Sequence, residues 1–344
     1  MSITPDNVTE LFQQASVELS RKRKREVSRT EILDYLRQKA SRPGAKGKRT
    51  PRDWSTLECR SHFLDSGSFS LMGEARKYHK LHGGGEWDYY NSEEHFQYID
   101  AYAEFIREHQ PAIDLYANVD VIGNPELSWR NQKLLEKAGM KPIPVVHCGT
   151  DLKWLRKYVA AGYGYIGLGG LANRTSGEYV RHWIDSAFDV VCDGKGIPQV
   201  KFHGFGVATY RTLIRYPWFS VDSTNWIHHS MYGDLLIPAC RGGEFCFDDS
   251  PMILQMSVDG GKRREAGRHY QTLKKAERDV VARWFERIGV PIGESGPPII
   301  PGVSTCPEAR RLANVLFFEE LRMSLPPWPW AFNGGRGKGF GLIK

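Results

Sequence analysis

The chain has no run of about 18 apolar residues, the length a membrane-crossing helix needs, so nothing in it reads as a membrane span. Its opening, MSITPDNVTELFQQ, lacks the basic-then-apolar design of a secretory signal. Only six cysteines occur in 344 residues, at positions 59, 148, 192, 240, 246 and 306, and their spacing suggests no disulfide framework. Reduced thiols in a cytoplasm are the expectation. No phosphate-loop Lys-Ser or Lys-Thr follows Gly83-Gly84-Gly85 or Gly204-Phe205-Gly206, which therefore read as turns. No internal repeat is visible.

What is present is a globular composition, 41% hydrophobic and 12% aromatic, with length for one large α/β barrel and appendages or for two ordinary domains. The net charge of +7 is unevenly placed: residues 1–53 hold 13 Lys/Arg against 7 Asp/Glu. That surplus centres on Arg21, Lys22, Arg23, Lys24 and Arg25, with Lys46, Lys48 and Arg49 in a following Pro/Gly-rich stretch. A polyanion suits such an arm, because each phosphate contact releases counterions. A solvated helix face is the plain alternative.

Helical spacing of Leu11, Ala15 and Leu19, then of Ile32, Leu33 and Leu36, predicts an interrupted helix over residues 8–40; 41–54 read as a linker or nucleic-acid-binding loop. From about residue 59 short apolar runs alternate with helical stretches at 92–109, 127–138, 151–161, 176–188 and 207–215. The runs end in Asp65-Ser66-Gly67, Asp120, His147-Cys148-Gly149, Gly169-Gly170, Gly204-Phe205-Gly206 and Asp222-Ser223-Thr224. Alternation of this kind implies a parallel sheet, and polar or glycine residues at successive strand ends are where barrel active sites assemble. The expected fold is therefore α/β, a TIM-type (β/α)8 barrel over 55–260, with a basic helical arm and linker at 1–54 and C-terminal helices and a Gly-rich basic tail at 261–344. A seventh strand is expected near Leu235 to Ile237, and long helices at 265–289 and 307–323.

Asp65 in HFLDSGSFS and Asp222 in WFSVDSTNW close two of these strands. A carboxylate there, beside small residues, is open to a ligand; two on different strands suit displacement at an anomeric carbon, one attacking and one managing protons. An aspartate before Ser or Thr can instead merely cap a helix. The pair together, with Asp120 as a third strand-end carboxylate, favours chemistry. Trp87, Tyr89, Tyr90 and Trp226 could stack on bases, although core packing accounts for most such residues.

HFLDSGSFS resembles the Asp-Ser-Gly-Gly-Phe/Tyr-Gln signature of the tRNA-guanine transglycosylases, and YIGLGGLA resembles their Gly-Gly-Leu-Ala strand end. KFHGFGVA is similar to their hydrophobic–Gly–hydrophobic–Gly strand, and WFSVDS to the strand carrying their nucleophilic aspartate. The four stand in the family's order over about residues 60–225. The resemblance implies Asp222 as nucleophile, Asp65 as general acid/base and Asp120 as reader of the guanine-type edge. Ser66, Gly169, Gly170 and Leu171 would lie beside the base. His147, Cys148 and Gly149 fall where the family commonly has glutamine followed by glycine, a departure at the group that would meet the base carbonyl.

The implied reaction is exchange of guanine for a free 7-deazaguanine, such as 7-cyano-7-deazaguanine, on a nucleotide held out of the stack. No cofactor is required for it. The family's structural zinc run is missing: Cys240, Cys246 and the distant His269 are the nearest approach, at a spacing looser than zinc sites use, so no metal is expected. A basic arm gained and a zinc run lost resemble the DNA-modifying branch found in bacteriophages and bacterial modification clusters. DNA is thus the expected partner, with tRNA as the alternative, and barrels of this kind are often homodimers. A catalytically idle nucleic-acid-binding protein is the competing reading from another class.

Overall fold

The computed structural model describes residues 62–171, 177–207, 209–258 and 267–332. The basic arm and linker, including Arg21, Lys22, Arg23, Lys24, Arg25, Lys46, Lys48 and Arg49, lie outside the described residues, as does the Gly-rich tail. The described chain forms two compact units, one of residues 62–223 with 327–332 and one of residues 224–326. This division falls inside the 55–260 segment read from the sequence as barrel.

The first unit is α/β. Strand β1 (Phe63–Leu64) pairs in parallel with β2 (Leu115–Tyr116). Strands β3 (Val145–His147), β4 (Tyr165–Gly169), β5 (Lys201–Gly204) and β6 (Ser220–Val221) form a four-stranded parallel sheet in chain order. A parallel bridge from Ala117 to Ile143 carries the order from the first pair into this sheet. The connections are α1 (Ser68–His82) and α2 (Glu93–His109) after β1, then α3 (Pro125–Lys137), α4 (Lys153–Ala160), α5 (Glu178–Val191) and α6 (Tyr210–Arg215).

Successive side chains of a strand face opposite ways, and the sheet uses both faces. On one, Ile166, Leu168 and Phe202 are wholly buried, and Phe188 of α5 meets Phe202 edge-on at 5.0 Å. On the other, Phe63, Ala117, Ile143 and Val145 cluster with Leu115, Tyr165 and Phe205. Phe63 of β1 reaches His203 of β5 with ring centroids 4.6 Å apart, so side chains from the first and fifth strands meet on that face.

Helix α1 is an addition to the elements expected from sequence. Gly67 at φ 71° starts it, where a Cβ would stand 3.0 Å from the Tyr98 hydroxyl. The Gly83–Gly85 run after it is a turn: Asp88 accepts from the Gly85 N–H at 2.7 Å.

The second unit contains α7 (Asn225–Met231), β7 (Asp234–Ile237), a hairpin of β8 (Ala239–Arg241) and β9 (Glu244–Cys246), β10 (Met252–Gln255), α8 (Lys275–Ile288) and α9 (Pro307–Ser324). The strand expected near Leu235 to Ile237 exists, but its partner is β10 and the pairing is antiparallel. Helix α8 starts at Lys275, because the Glu277 carboxylate takes the Lys274 N–H at 2.7 Å and caps the helix there. Among the described residues no helix is long and apolar enough to cross a membrane.

Candidate active site

The three strand-end carboxylates come together. Asp65 follows β1, Asp120 follows β2 and Asp222 follows β6, and the charges of Asp120 and Asp222 both act on Asp65. The Asp65 carboxyl is held above its ordinary value of 3.8, first by the protein packed around it, then by Asp120 and Asp222, while the Ser66 and Gly67 backbone N–H groups oppose the rise. The side chain is nevertheless exposed to solvent.

Asp120 is placed by side chains that grip its backbone on both sides. Tyr102 of α2 donates to the Ala117 carbonyl at 2.9 Å, Asn131 of α3 donates to the Val119 carbonyl at 2.8 Å, and Ser128 accepts from the Val121 N–H at 2.9 Å. Its own carboxylate is buried and doubly engaged. Ser68 donates to Oδ1 at 2.9 Å; having spent its only proton there, Ser68 accepts from Ser66 at 2.8 Å. The other oxygen, Oδ2, takes the Nε2–H of His147.

His147 closes β3, and the glycines of β4 give its ring room. A Cβ on Gly169 would stand 2.6 Å from His147 Cε1 and 2.8 Å from Nδ1, so no side chain fits there while the ring holds Asp120. Nδ1 is buried with no partner among the described residues, and it faces the Gly169–Gly170 turn. Cys148 donates its N–H to the Gly169 carbonyl at 2.9 Å, which ties the two strand ends together. Gly149 at φ 92° and Gly170 at φ 70° both adopt the left-handed backbone that glycine tolerates, and Leu171 beyond them is fully buried.

Asp222 is held on one oxygen. Gly206 donates its N–H to Oδ1 at 2.9 Å, and His203 Nε2 stands 3.4 Å from the same atom. Ser220, two residues back on the same face of β6, pairs with His203 across the sheet. The structure thus gathers Asp65, Ser66, Asp120, His147, Gly169, Gly170 and Asp222 within one unit and adds Ser68 and His203. Neither addition carries a signal in the sequence. A lone histidine in an apolar strand reads as core, and the serine's role depends on a helix that the sequence pattern hides.

Other candidates have structural employment. Trp226, Tyr89 and Tyr90 are buried. In the second unit His269 accepts from the Gln271 N–H at 3.1 Å through Nδ1 and points Nε2 at the Ser257 carbonyl at 3.2 Å. Cys240 and Cys246 sit on the β8–β9 hairpin, and no group of three His, Cys, Asp or Glu converges as a metal site among the described residues.

Fold and site together define an α/β protein with a carboxylate-rich centre at the carboxyl ends of parallel strands. No family model, no curated protein and no solved structure matches the chain.

Proposed function

We propose that this protein is a transglycosylase that exchanges guanine in DNA for a 7-deazaguanine by double displacement, within a (β/α)8-type barrel of which β1 to β6 are part. The barrel reading is supported by six parallel strands in chain order and by the meeting of Phe63 with His203. The chemical reading is carried by one observation: three strand-end carboxylates share a site in which one, Asp65, is biased toward holding its proton. Paired carboxylates in environments that differ this way suit an acid/base and a nucleophile.

In the first half-reaction an Asp222 oxygen attacks C1′ and the C1′–N9 bond breaks, with Asp65 delivering its proton to the departing guanine. The Asp222 oxygen not held by Gly206 is the one placed to attack. In the second half-reaction the incoming 7-deazaguanine gives its N9 proton to Asp65, attacks C1′ and releases Asp222. Asp120 and His147, already joined, form the polar edge against which the base would lie.

Incubation with radiolabelled guanine and either duplex DNA or tRNA tests the proposal. Label should enter DNA with the wild type and fall by at least a thousandfold with Asp222→Asn, which retains shape but not the nucleophile. Entry into tRNA alone would move the substrate; entry into neither, with nucleic acid bound, would favour the idle binder.

A further inference from the structure

We infer that His203 is a positioning residue that steers one oxygen of the Asp222 carboxylate by an electrostatic contact at the end of a chain of hydrogen bonds beginning at Tyr165. The inference rests on the reading of Asp222 as nucleophile. The charge of Asp222 sets the direction in which the chain runs. Nε2 of His203 is buried, stands 3.4 Å from Asp222 Oδ1 and has no hydrogen-bond partner among the described residues; a carboxylate at that distance favours the tautomer whose proton faces it. Nδ1 is then the acceptor, and it takes the Ser220 hydroxyl proton at 2.6 Å. Ser220 has then spent its proton and must itself accept, from the Tyr165 hydroxyl at 2.5 Å. Tyr165, His203 and Ser220 come from β4, β5 and β6, Asp222 directly follows β6, and His203 packs against Phe63 and Phe205.

The surroundings keep the imidazole uncharged. His203 is 1% exposed, its ring packed edge-on against Phe63 at 4.6 Å and Phe205 at 4.4 Å. Asp222 is the ionisable group that favours the imidazolium, and burial outweighs it, so the pKa is pushed below 6.5. Tyr165 is shifted the other way, upward by burial, and stays a donor. A neutral N–H orients a carboxylate without placing a full positive charge on it, which would blunt its attack at C1′. Gly206 N–H engages the same oxygen, which leaves the second oxygen to attack.

The test uses the full chain labelled with 15N-histidine. Long-range 1H–15N spectra should show the histidine that disappears in His203→Phe as a neutral Nε2–H tautomer from mildly acidic to mildly alkaline pH. In Asp222→Ala its Nε2–H resonance should shift and exchange faster with water. In exchange assays His203→Phe should lower kcat by about a hundredfold with KM for DNA unchanged, the scale of a misplaced reacting group. His203→Gln returns an N–H to the Nε2 position and should recover at least tenfold of that loss. An Nδ1–H tautomer, an imidazolium, or equal kcat for the Phe and Gln variants would overturn the inference. If the wild type exchanges no base, the transglycosylase reading fails separately. The spectra then still decide the contact, because an Nε2–H signal unaffected by Asp222→Ala would show that His203 does not hold Asp222.

Discussion

Asp65 sits where a negative charge is unwelcome. Its carboxyl is raised above 3.8 by the packed protein around it and by repulsion from Asp120 and Asp222. The folded state therefore holds that proton more tightly than the unfolded chain does. The resulting stabilisation is complete below pH 3.8 and is lost as pH rises through the elevated folded value. At neutral pH the ionised group is a liability in the fold. Asp65→Asn keeps the shape and removes the charge, so it should raise Tm at neutral pH and lose that advantage in acid. The open face of Asp65 lets water screen the repulsion, which limits the gain to less than about 1 kcal/mol. Base exchange should fall by about a hundredfold to ten-thousandfold, the usual reach of a general acid/base. A variant no more stable at neutral pH than in acid, relative to wild type, would show that the three carboxylates do not repel one another in the fold.

Strand β4 shows how an element prepares a site by omission. Gly167 and Gly169 lie two apart on one face, and a Cβ at either would stand within 2.6 Å of a ring, Phe205 for the first and His147 for the second. Gly169→Ala should cost about 1–3 kcal/mol of stability as the ring is forced aside. The Cys148 N–H to Gly169 carbonyl bond holds the strand ends together, so His147 must yield and leave Asp120. The KM for the free base should rise about tenfold or more while the KM for DNA stays constant; an unchanged base KM would remove His147 from base recognition. This element is legible in the amino-acid pattern, since Gly-rich strand ends announce themselves, as do the strand-end aspartates and helices α2, α3, α4, α5 and α9. Helix α1 is not. Its exposed Phe69 and Leu81 and its Gly73 blur the apolar stripe that marks a helix. The β7 strand is visible as an apolar run, but an apolar run does not name its partner, and β10 supplies an antiparallel one. The Asp222–His203–Ser220–Tyr165 chain is illegible for the same reason: strand register, which brings Tyr165 of β4 to Ser220 of β6, is not written in local pattern.

At the scale of the whole molecule the charge is unevenly divided along the chain. The chain's net charge is +7, and residues 1–53 carry 13 of its 47 Lys/Arg against 7 of its 40 Asp/Glu, leaving the rest almost neutral. The candidate site itself is acidic, with three carboxylates that would repel a phosphate backbone unless attraction comes from elsewhere. A basic arm can supply it without placing cations beside the proposed nucleophile. Replacing Arg21, Lys22, Arg23, Lys24 and Arg25 by Gln tests this division. If each contacts one phosphate, the slope of log K against log salt for duplex DNA should shrink by up to about 4.5, at about 0.9 per contact. The KM for DNA should rise steeply at physiological salt, while kcat at saturating DNA and low salt stays near the wild-type value, because the carboxylates are untouched. An unchanged slope would make the cluster a solvated helix face and send the search for the polyanion contact to the remaining cations. A fall in kcat with KM constant would instead mean that the arm presents the nucleotide to Asp222 rather than merely holding the duplex.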